Sequence, residues 1–280
     1  MPDTVEIETP TLRLVGDHWP GHGPPVVLAH GGGQTRHSWG GTAVALSASG
    51  HEVLSIDLRG HGDSEWADDQ DYSMAAYAAD ALAAAEWTGR PVCWVGASLG
   101  GMTGLHAVHD RPDRFRSLVL VDITTAPAKA GVDRILEFMG AHSEDGFGSL
   151  EEAADAIATY QPHRPRPSDL SGLAKNLRLG ADGRYRWHWD PAFLLDRTGH
   201  DSEHARDESH RLLSEKARHL ELPTLLIRGR LSDLVTPAEV EAFLQLVPHA
   251  DYVDVADAAH MIAGDENDAF TRAVMSFLDA

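Results

Sequence analysis

The stretch Gly96-Ala97-Ser98-Leu99-Gly100-Gly101 closes the apolar run 92–95 and opens a helical pattern, which sets one serine on a strand-to-helix turn framed by glycines. Such a turn brings strand and helix so close that side chains two residues either side of the serine would collide, and it strains the serine backbone. The hydroxyl is lifted above the sheet edge, and the following helix N-terminus faces any negative charge that develops there. The chemistry suggested is nucleophilic attack by Ser98. A serine hydroxyl is a weak nucleophile at neutral pH, so it needs a histidine to take its proton and a carboxylate to orient and charge-balance that histidine. Two loops offer such groups, Arg230-Leu231-Ser232-Asp233-Leu234 and Asp257-Ala258-Ala259-His260-Met261. Gly31-Gly32-Gly33 offers backbone N–H groups with no Cβ in the way, suited to holding an oxyanion.

These groups act together only if a scaffold gathers them. Short segments at 5–8 and 12–15 read as an edge hairpin, largely apolar runs at 25–30, 52–57, 92–97, 116–122 and 223–229 read as buried strands, and 250–255 reads as a further strand. Helical patterns at 37–49, 72–88, 99–111, 237–246 and 266–278 fall between or after them. This alternation predicts an α/β fold, a mostly parallel sheet with helices on both faces. The glycine run, the serine turn and both loops follow strand C-terminal ends, the edge where open α/β sheets bind ligands. The alternation breaks over 127–219, where helical patterns at 132–140 and 150–160 are followed by three prolines within 162–167 and by Tyr185-Arg186-Trp187-His188-Trp189. No buried strand is expected there. Residues 1–126 and 220–280 therefore read as one core domain and 127–219 as a helical cap inserted between two strands, since the sheet needs both flanking parts to fold.

Composition narrows the functional classes. The 280 residues are 42% hydrophobic, ordinary for a packed globular chain, and the acidic start Met1-Pro2-Asp3-Thr4-Val5-Glu6 is unlike a secretory leader. No run of eighteen apolar residues occurs, and a cytoplasmic protein is expected. Forty-three acidic against twenty-three basic residues give a net charge of −20, which disfavours nucleic acid and anionic membrane surfaces as partners. Cys93 is the only cysteine, so no disulfide forms within the chain, and its place in an apolar strand suggests a buried small hydrophobe. The seventeen histidines form no His-Glu-x-x-His pattern and have no paired cysteines beside them, so neither a metal nor another cofactor is expected.

Taken together, His30-Gly31-Gly32-Gly33, Asp57-Leu58-Arg59-Gly60-His61-Gly62-Asp63-Ser64, the Ser98 turn, Gly229-Arg230-Leu231-Ser232-Asp233 and Ala259-His260-Met261 resemble, in order, the motifs of the α/β-hydrolase fold. The likeness is to capped, single-domain serine esterases and lipase-like hydrolases and covers residues 5–280 apart from the cap. It implies Ser98 as nucleophile, His260 as general base and then acid, Asp233 as the orienting carboxylate, and the N–H groups of Leu99 and Gly32 as the oxyanion hole. Asp122 is the alternative acid, because it too ends a strand at that edge. Trp39, Met102, Trp187, Trp189 and Met261 are candidates to line an apolar substrate pocket, with packing as their ordinary alternative.

The expected activity is hydrolysis of a small, apolar carboxylic ester. A serine at the turn departs from the aspartate of haloalkane dehalogenases and epoxide hydrolases. Lactonases, cofactor-free perhydrolases and carbon–carbon bond hydrolases use the same parts. The perhydrolases, however, carry an aromatic residue at the place of Gly32 and a Ser-Met-Gly-Gly turn where this chain has Ser98-Leu99-Gly100-Gly101. A non-catalytic small-ligand-binding protein of the same fold is the alternative from another class.

Overall fold

A computed structural model describes residues 1–143, 145–160, 166, 170, 172–194, 203–256 and 268–279. Its frame is an eight-stranded sheet in the order β1-β2-β4-β3-β5-β6-β9-β10. The strands are β1 (Asp3–Glu8), β2 (Arg13–Trp19), β3 (Pro25–Ala29), β4 (Glu52–Ile56), β5 (Val92–Ala97), β6 (Phe115–Val121), β9 (Thr224–Gly229) and β10 (Asp251–Val255). β1 and β2 pair antiparallel, β2 meets β4 antiparallel, and all further pairings are parallel. β3, β5 and β9 are buried along their whole length, which is why they read as continuous apolar runs rather than alternating ones.

Period-two geometry sends successive side chains to opposite faces, and the core divides accordingly. Val27, Trp94, Leu118 and Leu226 belong to one cluster, while Val26, Leu28, Val95, Val119 and Ile227 belong to the other. Helices α1 (Gly40–Ala48) and α8 (Asp268–Leu278) cover the second cluster through Ala43, Leu46, Phe270 and Val274. Helices α2 (Met74–Trp87), α3 (Leu99–Asp110), α6 (Glu203–Arg218) and α7 (Pro237–Leu246) cover the first through Tyr77, Leu105, Leu213 and Phe243. Trp39, expected at a substrate pocket, is 0% exposed in the α1–α8 layer, with its ring 6.0 Å from Phe270. That layer packs against the opposite sheet face from Leu99, Met139, Trp187 and Trp189, so Trp39 is a core residue.

β6 and β9 are hydrogen-bonded neighbours, so the chain between residues 122 and 223 stands outside the sheet. It carries α4 (Lys129–Gly140), α5 (Leu150–Tyr160), a short antiparallel pair of β7 (Leu177–Leu179) with β8 (Tyr185–Trp187), and α6. The β7–β8 hairpin is short and largely uncovered, so it is not a buried strand of the kind that builds the sheet, and it is not among the elements expected from the sequence. With three residues per strand it presents no run long enough to show a period. Trp187 is nonetheless buried there, between Phe138, Phe147 and a stacked Trp189 at 4.7 Å. No described helix is long and apolar enough to cross a membrane.

Candidate active site

Ser98 sits between β5 and α3 with φ 46° and ψ −111°, a left-handed backbone that a non-glycine residue adopts only when its surroundings enforce it. The enforcement is visible in the contacts. A Cβ at Gly96 would lie on the Gly100 carbonyl, and one at Gly100 would lie on the Ala29 carbonyl. Gly100 N–H donates to His30 O at 3.1 Å, Ser98 N–H donates to Val121 O at 3.0 Å, and the Trp94 indole N–H donates to Gly100 O at 2.9 Å. The serine turn is thus stitched to the ends of β3 and β6 on either side.

The glycine run lies directly against this turn, since a Cβ at Gly31 would be 3.4 Å from the Ser98 Cβ. Gly31 N–H donates to Gln34 Oε1 at 2.9 Å, and Gly33 has φ 77°. Among the described residues, the N–H groups of Gly32 and Leu99 have no protein acceptor. Leu99 is the first residue of α3, where an N–H lacks an intrahelical partner and the helix dipole favours negative charge.

Three buried histidines surround the glycine run. His30 receives the Leu58 N–H on Nε2 at 3.0 Å, so its proton is on Nδ1, which donates to Gly31 O at 2.8 Å. His61 receives the Gly33 N–H on Nε2 at 3.1 Å and donates from Nδ1 to Arg59 O at 2.9 Å. His188 receives the Gly62 N–H on Nδ1 at 2.7 Å and faces Gly33 O with Nε2 at 3.3 Å. Burial holds His30 and His188 far below the ordinary histidine value, each at about 3, so both are neutral. The 57–64 loop supports the same group. Buried Asp57 accepts from the Arg36 guanidinium, from Arg36 N–H at 2.6 Å and from Asp63 N–H at 2.9 Å.

The two candidate acids stand in different surroundings. Asp122 follows β6, is 0% exposed, and has φ 49°, a conformation aspartate tolerates better than most residues. Its Oδ1 accepts from Gly229 N–H at 3.1 Å and its Oδ2 from the Ser232 hydroxyl at 2.6 Å. Asp233 has its side chain 41% exposed and ion-paired with Arg134 of α4 at 2.5 Å. Arg134 also donates to Tyr160 O at 2.9 Å and lies over the Tyr160 ring, so Asp233 ties α4 and α5 to the β9 loop. His260 and Met261 lie outside the described residues. Trp189 reaches the glycine run, because a Cβ at Gly33 would be 3.2 Å from its Cζ3. Phe193 stands equally close to Gly32, at 3.3 Å. His188, Phe193 and Ser232 were not singled out in the sequence. For His188 the signal was present, since in Trp187-His188-Trp189 a period of two sets the histidine opposite the tryptophans.

A family model described as the alpha/beta hydrolase fold matches residues 24–266, a span containing every motif above. The chain belongs to the α/β-hydrolase family. Esterase Rv0045c of Mycobacterium tuberculosis is 29% identical over 291 residues, spanning 100% of this chain and 90% of the relative. A pimeloyl-acyl-carrier-protein methyl ester esterase of Xanthomonas oryzae pv. oryzae is 28% identical over 273 residues, spanning 92% of this chain and 96% of the relative. Among solved structures, E-2-(acetamidomethylene)succinate hydrolase superposes with a TM-score of 0.84 over 100% of both chains at 22% identity, a likeness of fold. Both curated relatives are esterases by name, and this chain shares the α/β-hydrolase family with them.

Proposed function

We propose that the chain is a serine carboxylic ester hydrolase that cleaves a small, apolar ester through an acyl-enzyme on Ser98, without a metal or cofactor. The observation that carries this reading is the strained Ser98 turn lying against the glycine run, with the Gly32 and Leu99 N–H groups lacking a protein acceptor among the described residues. In this reading the Ser98 oxygen attacks the ester carbonyl carbon as its proton passes to His260. The carbonyl electron pair moves onto the oxygen, which the Gly32 and Leu99 N–H groups stabilise. Collapse expels the alcohol, protonated by His260. Water then gives a proton to His260 and adds to the acyl carbon, and a second collapse releases the acid and restores Ser98.

His260 stands five residues beyond the end of β10, and a chain of that length spans up to about 16 Å. The distance from β10 to β5 across three strand spacings is about 14 Å, so Ser98 is within reach. For the orienting acid we favour Asp122 over Asp233. A triad carboxylate must be shielded and fixed in place, and Asp122 is buried and held by the Gly229 and Ser232 bonds. Asp233 instead faces solvent and a guanidinium.

The stretch 127–219 acts in this reading as a cap whose aromatic residues, Trp189 foremost, shape the acyl pocket. A fluorophosphonate probe tests the proposal. Ser98→Ala should abolish labelling and lower hydrolysis of short-chain esters by several orders of magnitude, with folding unchanged. Labelling that persists in Ser98→Ala, or more than a tenth of the activity, would remove Ser98 as nucleophile.

A further inference from the structure

The glycine run contains three successive peptide groups, and each is held by a different neutral imidazole. In a planar trans peptide the N–H points opposite to the preceding C=O. His30, donating to Gly31 O, therefore sets the direction of the Gly32 N–H. His61 fixes the next peptide by accepting the Gly33 N–H, and His188 addresses the third by facing Gly33 O. His30 and His61 follow core strands β3 and β4, whereas His188 follows β8 and comes from the chain between β6 and β9. Its second bond, from Gly62 N–H at 2.7 Å, anchors it to the core loop that also carries His61. Gly33, with φ 77° and no side chain, has little else to hold its conformation.

We propose that His188 is a positioning residue for hydrolysis: by meeting Gly33 O from the inserted segment it holds the last peptide of the glycine run, completing with His30 and His61 the set of contacts that keeps the oxyanion donor at Gly32 in place. The inference rests on the role given to Gly32 above. It makes the insertion part of the catalytic scaffold as well as a wall of the pocket, and competence for even the smallest ester then depends on it. The neighbouring Trp189 links the two roles, since it lies against Gly33 on one side and packs edge-on to His188 at 5.4 Å.

Two amide substitutions separate the two bonds. His188→Gln extends a donor to where Nε2 meets Gly33 O but withdraws the acceptor from Gly62. His188→Asn keeps an acceptor near the Nδ1 position for Gly62 but cannot reach Gly33. A role in folding alone would treat the two alike. We expect His188→Asn to lower kcat about 10- to 100-fold with KM within about threefold, and His188→Gln to stay within about fivefold of wild type in kcat. Affinity for a trifluoromethyl ketone, which mimics the oxyanion, should fall in parallel with kcat/KM. Hydrogen exchange over residues 29–35 should be faster in His188→Asn than in wild type or His188→Gln. Equal kcat in the two variants, or a loss confined to KM, overturns the proposal, and so does unchanged exchange over 29–35 in His188→Asn. If the wild type neither hydrolyses esters nor takes the fluorophosphonate label, the esterase reading fails by itself, and the exchange comparison still decides the role of His188.

Discussion

At the scale of single residues, the arrangement turns on backbone groups aimed by side chains. Gly32 has the Phe193 ring 3.3 Å from where a Cβ would stand and Leu99 Cδ2 at 4.0 Å, so a branched side chain there must push against the neighbours of the proposed oxyanion site. Gly32→Val should lower kcat by about 10²- to 10³-fold, the usual loss of one oxyanion donor, while thermal melting shows a folded protein. Unchanged kinetics would place the second donor elsewhere. The orienting acid is tested the same way. Asp122→Asn keeps the shape and removes the charge, leaving the histidine in the wrong tautomer, and should cost up to about 10⁴-fold in single-turnover acylation. Asp233→Asn weakens an exposed ion pair with Arg134, a contact of about 0–1 kcal/mol, and should cost less than about tenfold. The reverse ranking would return the role to Asp233. Sequence alone cannot separate the two, because both follow strands that end at the same edge. What distinguishes them is that Asp122 receives the Gly229 N–H and the Ser232 hydroxyl, both more than a hundred residues away along the chain.

At the scale of elements, Trp187 shows how the chain between β6 and β9 is built. Its ring is stacked on Trp189 and edge-on to Phe138 and Phe147, joining β8 to α4 and to the turn before α5. Trp187→Ala removes a buried indole from that junction and should destabilise it by about 3–5 kcal/mol, read as a lowered denaturant midpoint. Because Trp189 stacks on it and touches the glycine run, turnover of all esters should fall with it. A change in chain-length preference alone, with stability unaltered, would make Trp187 a pocket wall instead. The sheet was legible in advance because buried parallel strands are continuous apolar runs separated by amphipathic helices, and residues 224–229 and 237–246 fall within a residue of their expected bounds. The β7–β8 hairpin was not legible, since its strands, Leu-Arg-Leu and Tyr-Arg-Trp, are too short to carry a pattern. Trp39 illustrates a third case. Its burial follows from its apolar bulk, but which face of the sheet it joins is set by packing against Phe270, some 230 residues later.

For the whole molecule, two electrostatic effects act in opposite directions on acidification, and their balance gives a prediction. A net charge of −20 at pH 7 destabilises the compact state by self-repulsion, so titration toward the pI near 5.1 relieves strain and favours folding. His30 and His188 act the other way. Each is held at about 3 in the folded protein by burial, while the unfolded chain takes up a proton near pH 6.5. Between those values the unfolded state binds more protons, so stability rises with pH and is lost as pH falls, by about 1.4 kcal/mol per pH unit for each imidazole. The surface repulsion is screened by salt over a Debye length of about 8 Å at physiological ionic strength, whereas the buried histidines are not. In 0.5 M NaCl the histidine contribution should therefore dominate, and the urea midpoint should fall steadily from pH 6.5 to 4.5. At low salt the fall should be shallower. His188→Gln removes one of the two groups and should reduce the high-salt slope by about 1.4 kcal/mol per pH unit, whatever it does to the absolute stability. A midpoint that rises on acidification in high salt, or a slope that His188→Gln leaves untouched, would mean that His188 is not held neutral against the glycine run.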